Sequence, residues 1–175
     1  TRDIAQKFNN DFKTDLFPIP EPLIFGEATR VMSLRDGSKK MSKSDPSDLS
    51  RINLTDNKDE IINKIKKAKT DSFAIPNEYQ NLKDRPEAEN LLGIYSSISD
   101  QTLDKTLKEF GGKNFSDLKS QLAELLSSKI FPISNEIKKL INDYEYLDKI
   151  LEEGATKAEE IAGKKITEMK KIIGF

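Results

Sequence analysis

The amino-acid sequence predicts a mainly α-helical protein with one short non-helical region near its start. From about residue 57 onward, apolar residues recur every three or four positions, which is the spacing of one helix face. Prolines at positions 18, 20 and 22 exclude helix there, because each lacks a backbone N–H and fixes its own φ. Residues 23–25 and 29–34 are the only plausible strands. We therefore expect an all-helical domain over residues 52–175.

The first four predicted helices are short. They cover residues 2–13, residues 57–68 after a cap at Thr55 or Asp56, a segment opening at Pro86, and a segment opening at Ser99 or Asp100.

The last two predicted helices are long. The first continues past Pro132, and since a proline inside a helix costs about 3 kcal/mol unless the helix bends, we predict a kink near Phe131. The second covers about residues 146–173. Its apolar stripe is small in the middle, at Ala155 and Ala158, which predicts a close approach to a neighbouring element.

Composition excludes several kinds of site. The 175 residues include no Cys, which excludes disulfides and thiolate metal sites, and no His, which excludes imidazole ligands and a histidine acid or base. We predict no metal-ligating residues. No apolar run reaches the roughly 18 residues of a membrane span, so we expect no membrane partner. The absence of Cys fits a cytoplasmic protein, which is the location that we expect.

Charge is distributed unevenly along the chain. Between Arg35 and Lys69 there are ten Lys or Arg residues and six acids, so this segment carries +4 while the chain as a whole carries −1. A local positive field suits the phosphates of ATP or the backbone of RNA. A solvated basic helix face is an equally good interpretation of the helical lysines.

The segment KKMSKSDP at residues 39–46 is neither apolar nor periodic, which predicts a loop. Gly37 permits positive φ before it, and Pro46 restricts the chain after it, so the loop can be held at both ends. Lysines supply long, flexible charges that suit a polyphosphate. The alternative is a solvated basic turn.

The order of the residues resembles a known family. KMSKS at residues 40–44 is the complete signature of class I aminoacyl-tRNA synthetases. Flanking segments resemble bacterial tryptophanyl-tRNA synthetases along essentially the whole chain: RVMSL at 30–34, SDPS at 44–47, KIKKAKTD at 64–71, NLLGIYS at 90–96, FPI at 131–133 and ILEEGATKA at 150–158.

The resemblance implies a division of the chain. Residues 1–51 would be the C-terminal remnant of a Rossmann-like α/β catalytic domain that carries the KMSKS loop. Residues 52–175 would be an all-helical domain that binds the tRNA anticodon. The family's second signature, His-Ile-Gly-His, cannot be present in a chain without His. We therefore expect this chain to be the C-terminal part of a longer enzyme, and to be inactive in isolation.

The resemblance also implies roles for the loop residues. Lys43 would be the main contact of the departing pyrophosphate, with Lys40 as the second catalytic cation. Residues expected at the nucleotide are Val31, Lys40, Met41, Ser42, Lys43 and Ser44. Mg²⁺ would be held mostly by the phosphates of ATP.

The function implied is that of a tryptophan–tRNA ligase, with L-tryptophan, ATP and tRNA(Trp) as substrates and a homodimer as the intact assembly. Two alternatives remain open. One is a non-catalytic helical RNA-binding module that retains a synthetase-like loop, and the other is a relative of tyrosyl-tRNA synthetase.

Overall fold

The protein folds as two compact units. In a computed structural model, residues 1–24 and 30–175 are described. One unit contains Thr1–Ile24 and Leu140–Phe175, and the other is Phe25–Lys139. The predicted functional division after residue 51 stays a prediction.

Within the described residues the chain forms six helices and no strand, which confirms the mainly α fold class. The helices are α1 (Arg2–Phe12), α2 (Lys58–Lys66), α3 (Pro86–Ile98), α4 (Leu103–Phe110), α5 (Phe115–Ile141) and α6 (Tyr144–Ile173). Two 3₁₀ turns lie at Asp48–Ser50 and Tyr79–Leu82. None of the helices described here is long and apolar enough to cross a membrane.

The strand prediction was wrong wherever the structure describes it. Residues 23–24 and 30–34 form no strand, and residues 25 and 29 lie outside the described residues. The only trace of pairing there is an isolated antiparallel bridge between Met32 and Lys40. A β-rich segment needs a partner strand to form a ladder, and among the described residues this segment meets other parts of the backbone only at isolated points.

In the first unit, α1 is joined to the segment that follows it by one side chain. Asn9 donates from Nδ2 to the Phe17 carbonyl at 2.7 Å and accepts from the Phe17 N–H at 3.1 Å. The Phe8 ring lies edge-on to Phe17 at 5.0 Å between centroids. Helix α6 has no buried residue, so the predicted close packing of its alanine stripe was wrong.

The second unit holds the main hydrophobic core. Helices α2 to α5 contribute to it, together with Leu34, Ile75 and Leu82 from the connecting segments. Tyr95 of α3 lies edge-on to Phe110 of α4 at 4.8 Å between ring centroids. The core therefore reaches from the segment before the KMSKS loop to the middle of α5.

Two helix caps differ from the predicted ones. Asn57, not Thr55 or Asp56, caps α2: its side chain accepts from the Glu60 N–H at 3.0 Å, and Glu60 accepts from the Asn57 N–H at 2.7 Å. Thr102 caps α4 in place of Ser99 or Asp100. Helix α5 continues through Pro132, and the kink near Phe131 stays a prediction.

Candidate functional site

The KMSKS residues stand on the return arm of a hairpin. The Ser33 N–H donates to the Lys39 carbonyl at 2.8 Å, and the Met41 N–H donates to the Val31 carbonyl at 3.1 Å. These bonds flank the bridge between Met32 and Lys40. Val31 is thereby fixed against the start of the loop by its backbone.

Asp36 closes the turn of this hairpin. Its carboxylate accepts from the Ser38 hydroxyl at 2.6 Å and from the Ser38 N–H at 3.1 Å, and it lies 3.2 Å from the Lys39 ammonium. The hydrogen bonds from Ser38, followed by that from Lys39, lower the pKa of Asp36 to about 2. The turn is therefore organised around an ionised carboxylate.

Leu34 anchors the outgoing arm in the core, where its side chain is fully buried. Its N–H donates to the Ser50 carbonyl at 2.9 Å, and its carbonyl accepts from the Lys69 N–H at 2.7 Å. Arg35, the next residue, donates to the Lys67 carbonyl. The hairpin is thus tied to the chain on both sides of α2.

Helix α3 supports the hairpin at two further points. Asn90 Oδ1 accepts a hydrogen bond from the Met32 N–H at 2.9 Å, and Asn90 Nδ2 donates to the Met32 carbonyl at 2.8 Å. Gly37 lies against the start of α3, where a Cβ would stand 2.6 Å from the Glu87 nitrogen. The single amide of Asn90 satisfies both backbone groups of Met32, as a neighbouring strand would.

The signature itself divides into an anchored residue and exposed polar ones. Met41 packs against the hydrophobic core, whereas the side chains of Lys40 and Lys43 are exposed. Within the described residues neither lysine forms an ion pair. The hydroxyls of Ser42 and Ser44 lie 2.9 Å apart, which holds the loop in a turn with Lys43 at its centre.

Arg51 fixes the chain immediately after the loop. Its guanidinium donates to the carbonyls of Asp45 at 2.9 Å and Ser47 at 3.4 Å, and it lies 2.9 Å from the Asp48 carboxylate. All three contacts are made by one planar, rigid guanidinium group. Asp45, Ser47 and Asp48, which follow the loop, are therefore fixed in position relative to Arg51.

Lys64 is buried, in contrast to the solvated position expected for a basic face of α2. Its side chain is 4% exposed and lies 2.6 Å from Asp48 and 2.7 Å from Asp56. Burial lowers the pKa of Lys64, but the hydrogen bonds that its ammonium donates to the two carboxylates outweigh this effect and leave the pKa raised. The hydrogen bond from Lys64 is likewise the main cause of the lowered pKa of Asp48.

The ten cations of the basic segment are therefore not equivalent. Lys39, Arg51, Lys64 and Lys69 each pair with a carboxylate. In the described part of the chain, the cations without an acidic partner are Arg35, Lys40, Lys43, Lys58, Lys66 and Lys67. Four of these six cations lie on the KMSKS loop (Lys40 and Lys43) and on α2 (Lys58 and Lys66), and α2 also carries the acids Asp59 and Glu60.

A cavity of about 680 Å³ opens beside the hairpin. Its lining includes Val31 and Met32 from the outgoing arm, and Glu89, Asn90 and Gly93 from α3. Of the residues predicted to meet the nucleotide, only Val31 lines this cavity. Lys40, Met41, Ser42, Lys43 and Ser44 lie together on the opposite arm.

Comparison with known proteins decides the family. The family model described as tRNA synthetases class I (W and Y) matches residues 1–132, which is most of the chain. The chain belongs to this family. As a class I tRNA synthetase chain, it carries the KMSKS signature on the hairpin described above.

A curated relative shows the same similarity over the whole chain. The tryptophan–tRNA ligase of Rhizobium meliloti (strain 1021) is 51% identical over 194 aligned positions, covering 100% of this chain and 55% of the relative. The chain thus spans about half the length of the curated relatives that it matches.

Solved structures agree with the fold. The tryptophanyl-tRNA synthetase of Mycoplasma pneumoniae superposes with a TM-score of 0.82 at 27% identity, covering 99% of this chain and 53% of that chain. The enzyme from Campylobacter jejuni, solved with ADP and tryptophan, gives a TM-score of 0.64 at 28% identity, covering 99% of this chain and 52% of that chain. The resemblance to tryptophanyl-tRNA synthetases is therefore confirmed.

Three supporting residues of this synthetase chain have roles that the sequence did not predict. Asn90 lies in the segment NLLGIYS, which resembles the family. Local sequence could not predict its two bonds to Met32, because they join positions 58 residues apart. Arg51 gave no signal beyond its charge. Gly37 was expected to supply positive φ, whereas it is not among the positive-φ residues and is needed for its lack of a side chain.

Proposed function

We propose that the protein containing this chain is a tryptophan–tRNA ligase. The carboxylate of L-tryptophan attacks the α-phosphate of ATP, forming a mixed anhydride with AMP and releasing pyrophosphate. A hydroxyl of the 3′-terminal ribose of the tRNA then attacks the tryptophanyl carbonyl, forming the ester and releasing AMP and a proton. Relatives that carry the name tryptophan–tRNA ligase, at about half identity over the whole chain, support this choice.

The observation that carries the proposal is the state of Lys40 and Lys43. Both ammonium groups are exposed and have no acidic partner in the described residues. The backbone before them is held by the hairpin hydrogen bonds, and the backbone after them is held by Arg51. A cation already paired with a carboxylate would have to break that pair to meet a phosphate. Cations without an acidic partner, on a loop whose two ends are fixed by hydrogen bonds, can stabilise the negative charge that develops on pyrophosphate.

Roles within the loop are proposed from the family resemblance. We assign Lys43 to the pyrophosphate as the main contact and Lys40 as the second. Ser42 and Ser44, on either side of Lys43, offer hydroxyl or N–H donors to the phosphates. Met41 would lie close to the nucleotide while anchoring the loop in the core, and the backbone at Val31 would lie beside the adenine.

ATP would bring its magnesium ion with it. The side chains of residues 40–44 supply ammonium, hydroxyl and thioether groups, and none of the carboxylates that Mg²⁺ favours. These groups fit phosphate oxygens, so Mg²⁺ would be held mostly by the phosphates and would neutralise part of their charge. The loop residues would bind the remaining oxygens.

The remaining partners are proposed from the family resemblance. The proposed macromolecular substrate is tRNA(Trp), contacted by the helical part of the chain. We propose a homodimer as the intact assembly, with an interface largely outside this chain, and the cytoplasm as the place of action.

ATP–pyrophosphate exchange on the whole protein tests the proposal. Exchange should depend on tryptophan, and tyrosine at the same concentration should give background rates. Exchange that depends on tyrosine would favour the tyrosyl-tRNA synthetase relative. Absence of exchange with either amino acid, together with retained tRNA binding, would favour the non-catalytic RNA-binding module.

A further inference from the structure

A groove with a volume of about 900 Å³ lies between α2 and α5 of the second unit. Its floor is partly apolar, with Ile62 of α2 and Phe115 at the start of α5. The KMSKS loop contributes no residue to it. It is therefore a site separate from the one at which ATP is proposed to react.

The groove carries a positive charge that the protein does not neutralise. Lys58, Lys66 and Lys119 line it, against the single carboxylate of Glu124. Lys58 lies over the Phe131 ring at 4.7 Å, and Lys119 donates to the Ala68 carbonyl at 2.7 Å. Within the described residues none of these three lysines has an acidic partner. Two of the six unpaired cations of the basic segment, Lys58 and Lys66, thus face one groove.

Hydroxyl groups line the same groove. Serines 116, 120, 127 and 128 of α5 contribute to it, with Thr70 on the other side. Ser127 is 7% exposed, and its hydroxyl has no hydrogen-bond partner among the described residues. A buried hydroxyl without a partner is unfavourable, which points to a ligand that supplies one.

Lysines combined with serine and threonine hydroxyls are the groups that proteins use to contact the phosphates of nucleic acids. We propose that this groove binds the sugar–phosphate backbone of the tRNA. The inference rests on the proposed function for the identity of the RNA, and on the charge and hydroxyl lining for the position of the site. Such a site contributes affinity and orientation, and it does not read base sequence.

The test measures tRNA affinity of the whole protein against salt concentration, for the variants Lys58→Gln, Lys66→Gln and the double variant. Each substitution should weaken binding about five- to tenfold near ~0.1 M salt and reduce the salt slope by about one. Because the contacts are to phosphates, tRNA(Trp) and a non-cognate tRNA should lose the same factor. Lys108→Gln on α4 makes the same charge change outside the groove and should leave both quantities unchanged.

The outcomes separate this site from the proposed function. Pyrophosphate exchange needs no tRNA, so it should be unchanged in all of these variants. Wild-type affinity and salt slope in the double variant would overturn the groove proposal, as would equal losses in Lys108→Gln. If exchange is absent from the wild type while the groove variants still lose tRNA affinity, the proposed activity fails and the groove proposal stands.

Discussion

Asn90 shows how one side chain can take the place of a missing strand. Its amide pairs with both backbone groups of Met32, and the residue is 8% exposed. Asparagine is suited to this because one planar group carries a donor and an acceptor side by side. The hairpin before the KMSKS loop therefore depends on a residue that lies far from it in the chain.

Replacing Asn90 should destabilise the second unit. Asn90→Ala leaves the Met32 N–H and carbonyl without partners, and we expect a loss of about 1–3 kcal/mol in the free energy of unfolding. Urea unfolding followed by circular dichroism measures it. Asn63→Ala on α2 is the matched control, since that side chain is exposed, and it should change the free energy little or raise it slightly. Equal stability of Asn90→Ala and wild type would contradict the role assigned here.

Gly37 and Gly93 make opposite predictions for the same substitution. At Gly37 a Cβ would stand 2.6 Å from the backbone of Pro86 and Glu87, so Gly37→Ala should destabilise by about 1–3 kcal/mol. At Gly93, inside α3, a Cβ meets nothing within 4 Å, and Gly93→Ala should stabilise by about 0.5–1 kcal/mol. Thermal unfolding of both variants checks the pair. The same sign for both substitutions would count against the close contact at Gly37.

At the scale of elements, the hairpin turn should respond to acid. The pKa of Asp36 falls from 3.8 to about 2 on folding, so the ionised carboxylate stabilises the fold above pH 3.8. That contribution is lost as the pH falls through about 2. Urea unfolding of wild type and Asp36→Asn should show a difference in stability at pH 5 that shrinks as the pH approaches 2. A difference that is constant with pH would show that the charge of Asp36 is not involved.

The buried ion pairs of α2 make a second prediction for an element. Lys64→Met leaves the buried Asp56 without its cation, while Asp48 keeps its pair with Arg51, so we expect a loss of about 3–5 kcal/mol in unfolding free energy. Lys67→Met on the same helix end is exposed and should be close to neutral. If both variants unfold at the same urea concentration, Lys64 is not the structural residue described here.

These elements also show what could be predicted from sequence. The helices and the KMSKS loop follow from local patterns, because spacing, proline and glycine act within a few residues. Lys64 shares the apolar face of Ile61 and Ala68, but local patterns could not show which carboxylates would pair with it, since Asp48 comes from a separate 3₁₀ turn. The predicted strands failed for the related reason that pairing partners are set by the tertiary fold.

At the scale of the whole molecule, the second unit uses its cations in two ways. Those paired with carboxylates join α2 to the segment before it, through Asp48 and Asp56, and join Lys69 to Glu87 of α3. Among those without an acidic partner in the described residues, Lys40 and Lys43 lie on the loop, and Lys58, Lys66 and Lys119 line the groove between α2 and α5. A synthetase of this family must act on two polyanions, ATP and tRNA, and the unpaired cations provide separate surfaces for them in our proposals.

The most direct test of the account is ATP–pyrophosphate exchange by the whole protein with Lys43→Ala. We predict a rate about 10²–10³-fold lower, since one contact to the developing charge is removed, with tryptophan affinity unchanged. Lys39→Ala is the control: it lies on the same hairpin, but its ammonium is already paired with Asp36, and its rate should stay close to wild type. An exchange rate in Lys43→Ala equal to that of the wild type would contradict the account.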